Sequence, residues 1–363
     1  MNLKEIIKST IIQKSEPIGF DEFMDLALYY PAKGYYSGGA QKFGEQGDFI
    51  TAPETSDLFG FCLARQCAQI LDGTNDILEF GAGSGVLAAQ ILFELGRLEQ
   101  LPKTYYILEL SAELQQRQQR TIAKILPELM DRVVWLNGLP ENFSGVVIAN
   151  EVLDAMPAKR LIYQAGEFKE LGVDCQDDTL IWQTKRPYKN DKIPLPVGVA
   201  QGYITEANER AVAWVESLSE IMDKGLVLLI DYGMGREEYF NPQRGAGTLR
   251  CYYQHKASEN PFVHIGEQDI TTSVNFSDIA EAAKRGSFEV QGYATQALFL
   301  IALGIDEYLL AEQASDKRAS LAQQVKQLVL PSAMGESFKV LALTKETQVT
   351  LRGFKEQNLL HKL

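Results

Sequence analysis

The hydrophobic positions first follow a helical pattern and then alternate between short apolar runs and amphipathic stretches. Apolar residues recur at helical spacing over residues 3–12 and 20–30, and a loop rich in glycine and aromatic residues follows. From residue 76 onward, apolar runs alternate with helical patterns, which is typical of a parallel sheet with helical crossovers. The pattern therefore predicts an α/β fold behind an N-terminal helical and loop cap over residues 1–75.

The apolar runs predict a Rossmann-like sheet, with five strands before residue 235. Strands are expected at residues 76–80, 105–108, 133–136, 145–149, 226–230, 288–293 and 338–343. Helices are expected at residues 86–96, 112–125 and 277–285, and a long helical region at 295–330.

Two stretches interrupt this alternation, at about residues 161–205 and 235–275. The first contains Asp177-Asp178 and several prolines, so hairpins are expected there rather than core helices. The second has no regular period. We expect residues 76–363 to form the core, with these two stretches as insertions.

The net charge of the chain indicates which kinds of partner it can bind. The chain has 363 residues, 35 of them basic and 48 acidic, which gives a net charge of −13. Such a surface repels phosphate backbones, so general nucleic-acid binding is not expected. A basic partner would be attracted instead.

The remaining composition points to an intracellular protein without metal. The four cysteines form no CxxC pair and no zinc-like grouping with the histidines, so free thiols in a reducing cytosol and no metal site are expected. The longest apolar stretch, residues 297–305, is far shorter than a bilayer span, and residues 1–15 show no uninterrupted apolar signal region. We therefore expect a soluble cytoplasmic protein with no membrane insertion.

A glycine-rich loop, Gly81-Ala82-Gly83-Ser84-Gly85, follows the first predicted strand. Glycines permit positive φ and let a ligand approach the backbone in front of a helix N-terminus. Dinucleotides, nucleoside phosphates and S-adenosylmethionine all use such loops. The loop lacks the lysine that a P-loop requires, and its glycine spacing differs from the G-x-G-x-x-G of dinucleotide sites.

Two acidic residues favour S-adenosylmethionine among these ligands. Glu79 lies two residues before the first glycine, where its carboxylate can hold the loop and face the cationic methionine end of the cofactor. Glu109 ends the second strand, where a carboxylate can accept hydrogen bonds from both ribose hydroxyls. The purely structural alternative is helix capping or a surface ion pair for Glu79, and a solvated strand end for Glu109.

Several further motifs, spread in order over nearly the whole chain, resemble the MidA family of class I methyltransferases. They are Phe23 with Ala27-Leu28-Tyr29, Gly34-Tyr35-Tyr36, Gly47-Asp48-Phe49, Pro53-Glu54, Asn150-Glu151-x-x-Asp154-Ala155-x-Pro157, Asp231-Tyr232-Gly233, Gly247-Thr248-Leu249-Arg250, Asp269-Ile270-Thr271, Val274-Asn275-Phe276, Met334-Gly335 and Phe338-Lys339. Ala82 departs from the family loop, which usually has proline there, and we expect cofactor binding to survive this change.

The resemblance implies a class I methyltransferase fold, with a seven-stranded, mainly parallel sheet whose last strand is antiparallel. It also implies methyl transfer from S-adenosylmethionine to a protein. In the mitochondrial member of the family, which is required for assembly of respiratory complex I, the acceptor is an arginine ω-nitrogen. By resemblance alone, a respiratory-complex subunit is a candidate substrate.

Asn150, Glu151 and Asp154 follow the fourth strand, where a methyl acceptor would face the cofactor, and they are the candidate catalytic residues. Arginine is a poor nucleophile because its charge is delocalised and it does not deprotonate in water. Two carboxylates can hold a guanidinium and localise its charge, and the i, i+3 spacing of Glu151 and Asp154 suits such a clamp. Capping or ordering of the turn before Pro157 is the structural alternative for Asp154.

The remaining candidates flank these groups along the sequence. The expected additional cofactor contacts are Pro53, Glu54, Asn137 and Asn150, besides the glycine loop. The expected substrate contacts are Asp48, Asp231, Tyr232, Arg250 and His255. Glu54 and Asp48 could also reach over the cofactor as a lid.

Two other functions remain open from the sequence. The chain could methylate a small molecule or a different side chain, in which case an enclosed pocket is expected. It could also be an assembly factor that binds a partner and has retained its cofactor site.

Overall fold

The computed structural model of the protein describes residues 1–38, 51–189, 193 and 198–363. Asp48, predicted to contact substrate, and its motif Gly47-Asp48-Phe49 lie outside the described residues. The strands are β1 (Asp76–Phe80), β2 (Tyr105–Leu108), β3 (Val133–Leu136), β4 (Phe143–Asn150), β5 (Lys159–Gln164), β6 (Glu167–Gln176), β7 (Thr179–Pro187), β8 (Ile204–Ala207), β9 (Met222–Met234), β10 (Arg250–Tyr253), β11 (Lys256–Ser258), β12 (Asp269–Thr271), β13 (Val274–Asn275), β14 (Glu289–Thr295) and β15 (Phe338–Lys345).

Helices precede and connect these strands. They are α1 (Leu3–Lys14), α2 (Phe20–Tyr29), α3 (Ala52–Thr55), α4 (Asp57–Cys67), α5 (Val86–Arg97), α6 (Ala112–Ile125), α7 (Glu209–Ile221), α8 (Arg236–Tyr239), α9 (Phe276–Arg285), α10 (Gln296–Ala302), α11 (Ile305–Ala311) and α12 (Ser315–Val329), with short 3-10 helices at Pro127–Arg132, Arg352–Phe354 and Leu360–Lys362.

The central sheet has the order β14-β15-β9-β4-β1-β2-β3, and β13 pairs with the end of β9. Strands β3, β2, β1, β4 and β9 are parallel, whereas β15 is antiparallel to both of its neighbours. The predicted mainly parallel seven-stranded sheet with an antiparallel last strand is confirmed. Because the parallel strands run the same way, the residues that follow β1, β2, β4 and β9 gather at one edge.

Two hydrophobic cores cover the two faces of this sheet. Ile77 and Ile148 point into one core, which α4, α5 and α10 complete, while Leu78 and Val147 point into the other beneath α7 and α9. This alternation is the period of two that a strand imposes on its side chains. The helix α4, from the predicted cap, therefore packs within the main core.

Both interrupting stretches form antiparallel sheets. The first contains β7-β6-β5-β8 in that order, which confirms the expected hairpins, and the second contains β11-β10-β12. Helices α1 and α2 pack against these small sheets through Ile7, Phe23, Val173 and Ile270. The N-terminal helices thus lie over the edge of the main sheet at which the parallel strands end.

The expected long helical region at 295–330 is divided into three helices. Gly304 has a φ of +83°, in the left-handed region, and separates α10 from α11. Among the described residues, no helix is both long and apolar enough to cross a bilayer. The four cysteines form no disulfide.

Candidate functional site

A cavity of about 960 Å³ opens at the carboxyl edge of the sheet, beneath α2. Many residues singled out in the sequence line it: Pro53, Glu54, Glu79, Gly81, Ala82, Gly83, Glu109, Asn137, Asn150, Glu151, Asp154 and Tyr232. They come from different segments, and the topology brings them to one place.

Four predicted site residues lie elsewhere. Gly85 packs against α6 behind the cavity. Asp231 is fully buried and binds backbone amides. Arg250 is on the surface, where it pairs with Glu259 at 3.0 Å, and His255 is exposed in the turn between β10 and β11. Asp231, Arg250 and His255, which were expected to contact substrate, therefore do not line this cavity.

The glycine loop adopts the conformation that its residues permit. Gly81, Gly83 and Gly85 have φ values of +61°, +54° and +85°. A Cβ at Gly85 would lie 2.8 Å from the Gln118 Cα, so this glycine allows α6 to approach the loop. The loop presents backbone to the cavity at Gly81, Ala82 and Gly83, in front of the N-terminus of α5.

Glu79 lies beneath this loop and is almost completely buried. Its carboxylate accepts a hydrogen bond from the Tyr105 hydroxyl at 2.7 Å. Burial raises the pKa of Glu79 to about 7, although the Tyr105 hydrogen bond opposes this shift. The group is therefore suited to a cationic ligand, which would restore its charged form.

Glu109 stands at the other side of the loop. Its carboxylate accepts hydrogen bonds from the Ser111 amide at 2.9 Å and from the Gln118 side chain at 3.0 Å. These contacts fix the carboxylate at the cavity wall, next to Leu110, which is largely exposed. A carboxylate held in this way can still accept hydrogen bonds from a ligand, since two oxygens offer about four lone pairs.

The segment before α4 closes one side of the loop. The Ser84 hydroxyl donates to the Glu54 carboxylate, and the Gln90 amide donates to the Pro53 carbonyl at 2.9 Å. These bonds connect α3 to the glycine loop and to α5. Glu54 thus lies on the cavity wall, although its partner is the loop itself.

The turn after β4 carries the second group of acidic residues. Glu151 has a φ of +55°, which is rare for a residue with a side chain, and the Asn150 amide donates to its carboxylate at 3.2 Å. Burial and the nearby Asp154 raise the pKa of Glu151 to about 8, while Asn150 and the Ala52 amide oppose the shift. Backbone strain of this kind is typical of functional sites.

Asp154 and Asp231 lie next to each other in the structure, and both are buried. Asp231 accepts the backbone amides of Leu153 and Asp154 at 3.0 and 3.2 Å, so it orders the turn from the end of β9. Burial raises the pKa of Asp154, and burial together with the Asp154 charge raises that of Asp231.

Sequence reasoning assigned no role to a tyrosine wall and Asp269 on the opposite side. Tyr29 and Tyr36 stack at 5.5 Å, and the Tyr36 hydroxyl donates to Asp269 at 3.0 Å. Tyr252 and Thr271 line the cavity beside them. The motifs that contain Tyr29, Tyr36 and Asp269 were noted in the sequence, but nothing in the local pattern indicated that α2 and β12 would meet.

Several buried polar atoms of the cavity wall have no hydrogen-bond partner among the described residues. They are Asn150 Oδ1, Asp154 Oδ1, Tyr232 Oη and Thr271 Oγ1. Tyr232 lies close enough to Asp154 and Thr271 for these contacts to affect the pKa of Asp154 and that of Tyr232 itself, but its hydroxyl makes no hydrogen bond of good geometry with either side chain. Unsatisfied buried groups are costly, so atoms like these mark a place for a polar ligand.

Acidic groups dominate the described lining of the cavity. The acidic residues are Asp25, Glu54, Glu79, Glu109, Glu151, Asp154 and Asp269. Among the described lining residues only Arg210 is basic, and it forms an ion pair with Asp25. Such a wall favours cations. The described part of the chain has no group of three histidine, cysteine or acidic side chains arranged to hold a metal.

Comparisons with known proteins agree with this arrangement. A family model described as "Putative S-adenosyl-L-methionine-dependent methyltransferase" matches residues 62–294. A crystal structure of a Burkholderia thailandensis protein bound to S-adenosylhomocysteine is 40% identical, with a TM-score of 0.96, and covers 99% of this chain and 96% of that one.

Curated relatives extend over most of the chain at lower identity. The mitochondrial protein arginine methyltransferase NDUFAF7 homologue of Drosophila melanogaster is 27% identical, over 92% of this chain and 82% of its own length. The mitochondrial protein arginine methyltransferase NDUFAF7 of Mus musculus is 28% identical over the same shares.

Proposed function

The chain belongs to a family of S-adenosylmethionine-dependent methyltransferases, and from that premise we propose that it methylates an arginine ω-nitrogen of a protein substrate. The observation that carries this proposal is the acidic group Glu151, Asp154 and Asp269, whose members lie together on the wall of one cavity. A guanidinium offers five N–H donors and a permanent positive charge. It complements these buried acceptors in both charge and hydrogen bonding.

The residues around the glycine loop fit S-adenosylmethionine. Gly81 and Gly83 leave room where a side chain would project, Glu79 would face the positively charged methionine end, and Glu109 would accept the ribose hydroxyls. Asn137, which follows β3 on the cavity wall, would contact the adenine edge. When bound, S-adenosylmethionine supplies an electrophilic methyl group on a positively charged sulfur.

The acceptor residues would then act on the guanidinium. Glu151 and Asp154 accept N–H hydrogen bonds and concentrate the positive charge on the nitrogens they bind, which leaves the remaining nitrogen more nucleophilic. That nitrogen would form the new N–CH₃ bond while the S–CH₃ bond breaks, with S-adenosylhomocysteine as the leaving group, and the proton that the nitrogen loses would pass to a carboxylate of the pair. Tyr29 and Tyr36 exclude water beside this group, so the carboxylates act in a poorly screened environment.

A labelled-methyl experiment tests the proposal. The protein is incubated with S-adenosylmethionine carrying a labelled methyl group and with protein extracts, and labelled proteins are hydrolysed to amino acids. We expect ω-N-methylarginine, and a loss of at least about 10-fold in its formation for Glu151→Gln, since a charged hydrogen bond contributes ~1.5–3 kcal/mol. Label found only in small molecules or in other amino acids would refute arginine as the acceptor.

A further inference from the structure

The turn of residues 153–156, called here the acceptor turn, has every backbone carbonyl bound from outside. Thr272 donates its amide to the Asp154 carbonyl at 3.0 Å, and the Tyr29 hydroxyl donates to the Ala155 carbonyl at 2.9 Å. The Asn208 side chain binds the other two carbonyls. The position of the Asp154 carboxylate therefore depends on several separate segments of the chain.

Asn208 binds both ends of this turn. Its amide nitrogen donates to the Leu153 and Met156 carbonyls, each at 3.1 Å. A primary amide has two N–H groups, so a single side chain can satisfy both acceptors. Asp231 also binds the turn, by accepting hydrogen bonds from the Leu153 and Asp154 amides.

The side-chain oxygen of Asn208 makes a different hydrogen bond. Asn208 is the N-cap of α7, and its Oδ1 accepts the Ala211 amide at 2.9 Å. An N-cap needs only an acceptor, which aspartate or serine also provides. The two amide donors are therefore not explained by capping.

The register of the first insertion brings Asn208 to the turn. Two residues separate the end of the turn from strand β5, and the first residue of this strand, Lys159, pairs with Ala207 of the antiparallel strand β8. Asn208 follows Ala207 and so lies beside the residues that precede β5. Its side chain is not part of the cavity wall, so it has no direct access to a ligand there.

We propose that Asn208 is a positioning residue, which holds the acceptor turn so that Asp154, and Glu151 before it, point into the cavity. The expected effect of Asn208 on turnover rests on the proposed methyl transfer, whereas its expected effect on the conformation of the turn does not. A displacement of about 1 Å at a catalytic group is enough to reduce turnover by about 100-fold.

The test separates capping from positioning. Asn208→Asp keeps the N-cap acceptor but loses both donors and places a carboxylate against two carbonyl oxygens. Asn208→Ser keeps a capping oxygen and is too short to bridge the turn. Asn2→Asp, at the N-cap of α1 far from the cavity, is the matched control because it makes the same substitution at another cap.

Each variant is measured for its affinity for S-adenosylhomocysteine, for the kcat and KM of methyl transfer, for its melting temperature, and for amide hydrogen exchange in residues 150–156 and in strand β4. We expect unchanged affinity, a fall in kcat of at least about 10-fold with a smaller change in KM, and faster exchange confined to the turn for both Asn208 variants. Asn2→Asp should behave like the native protein.

Unchanged exchange in the turn would overturn the proposal, and so would faster exchange with unchanged kcat. Equal losses of affinity, kcat and melting temperature would also overturn it, because they indicate general destabilisation. If the native protein forms no methylarginine, the proposed function fails, while the exchange comparison still decides whether Asn208 holds the turn.

Discussion

The Gln118 amide donates a hydrogen bond to the Glu109 carboxylate at 3.0 Å, and the same nitrogen donates to the Gly83 carbonyl at 3.2 Å. Trp135 donates its indole N–H to the Gln118 oxygen at 3.0 Å, which fixes the orientation of the amide. One buried side chain of α6 therefore sets the glycine loop and Glu109 relative to each other. Cofactor binding should depend on a residue that does not line the cavity.

Gln118→Ala should weaken the binding of S-adenosylhomocysteine about 10-fold, since loss of hydrogen bonds to a carboxylate costs ~1.5–3 kcal/mol when fully expressed. The measurement is calorimetric titration of the native and variant proteins. Gln119→Ala is the control because Gln119 is its exposed neighbour on the same helix. Equal affinities for the native protein and Gln118→Ala would show that Glu109 and the loop hold their positions without it.

Gly85→Ala should lower the free energy of unfolding more than Gly73→Ala. Both glycines have a φ of +85°, so each substitution carries the left-handed cost of ~1–2 kcal/mol. No atom of the described residues lies within 4 Å of a Cβ at Gly73, whereas a Cβ at Gly85 meets the Gln118 backbone at 2.8 Å. Urea unfolding of the two variants should therefore show a larger loss for Gly85→Ala, accompanied by weaker cofactor binding. Equal losses would mean that α6 shifts freely to make room.

The KM for a cationic acceptor should fall as pH rises from about 6 to 8. The pKa of Glu151 is raised to about 8 and that of Asp154 is also raised, so the acceptor-free protein must release protons to bind a guanidinium. Above about pH 8 the dependence should level off. The check is a pH profile of kcat and KM, in which Glu151→Gln should abolish the upper part of the rise. A KM that is flat in the native protein would contradict ionisation of this pair on binding.

Glu151→Gln should stabilise the acceptor-free protein at pH 8 but not at pH 5. The pKa of this carboxyl is higher in the folded protein than in the unfolded chain. Such a group contributes its full stabilisation below the unfolded pKa and loses it as the pH rises to the folded pKa, at ~1.4 kcal/mol per pH unit. Glutamine has no such dependence. Melting temperatures of both proteins from pH 5 to 8 measure the difference. A variant that is less stable than the native protein at both pH values would contradict the burial argument.

The local sequence pattern was sufficient to predict the sheet and the residues that line the cavity around the glycine loop. The strand Asp76–Phe80 and the helix Ala112–Ile125 follow directly from apolar periodicity and turn residues. Glu79 lies near the end of β1 and Glu109 follows β2, and because parallel strands end at the same edge of a sheet, both residues line the cavity there.

The surroundings of Glu151 and Asp154 could not be predicted in the same way, because they depend on contacts that the local sequence pattern does not contain. Tyr36 and Asp269 are 233 positions apart and meet only because α2 packs on the second insertion. Asn208 resembles an ordinary helix cap, and its second role depends on the register of β5 and β8. Arg250 was assigned to the site from its motif, yet of its strand only Tyr252 reaches the cavity wall.

Binding of a guanidinium at Glu151 and Asp154 is the central claim, and it can be measured without knowing the protein substrate. Blocked arginine is compared with blocked citrulline, its uncharged counterpart, by titration at pH 8 in the presence of S-adenosylhomocysteine. Arginine should bind at least about 10-fold more tightly, because charged hydrogen bonds contribute ~1.5–3 kcal/mol, and Glu151→Gln should remove most of this preference. Equal binding of the two probes by the native protein would contradict the account.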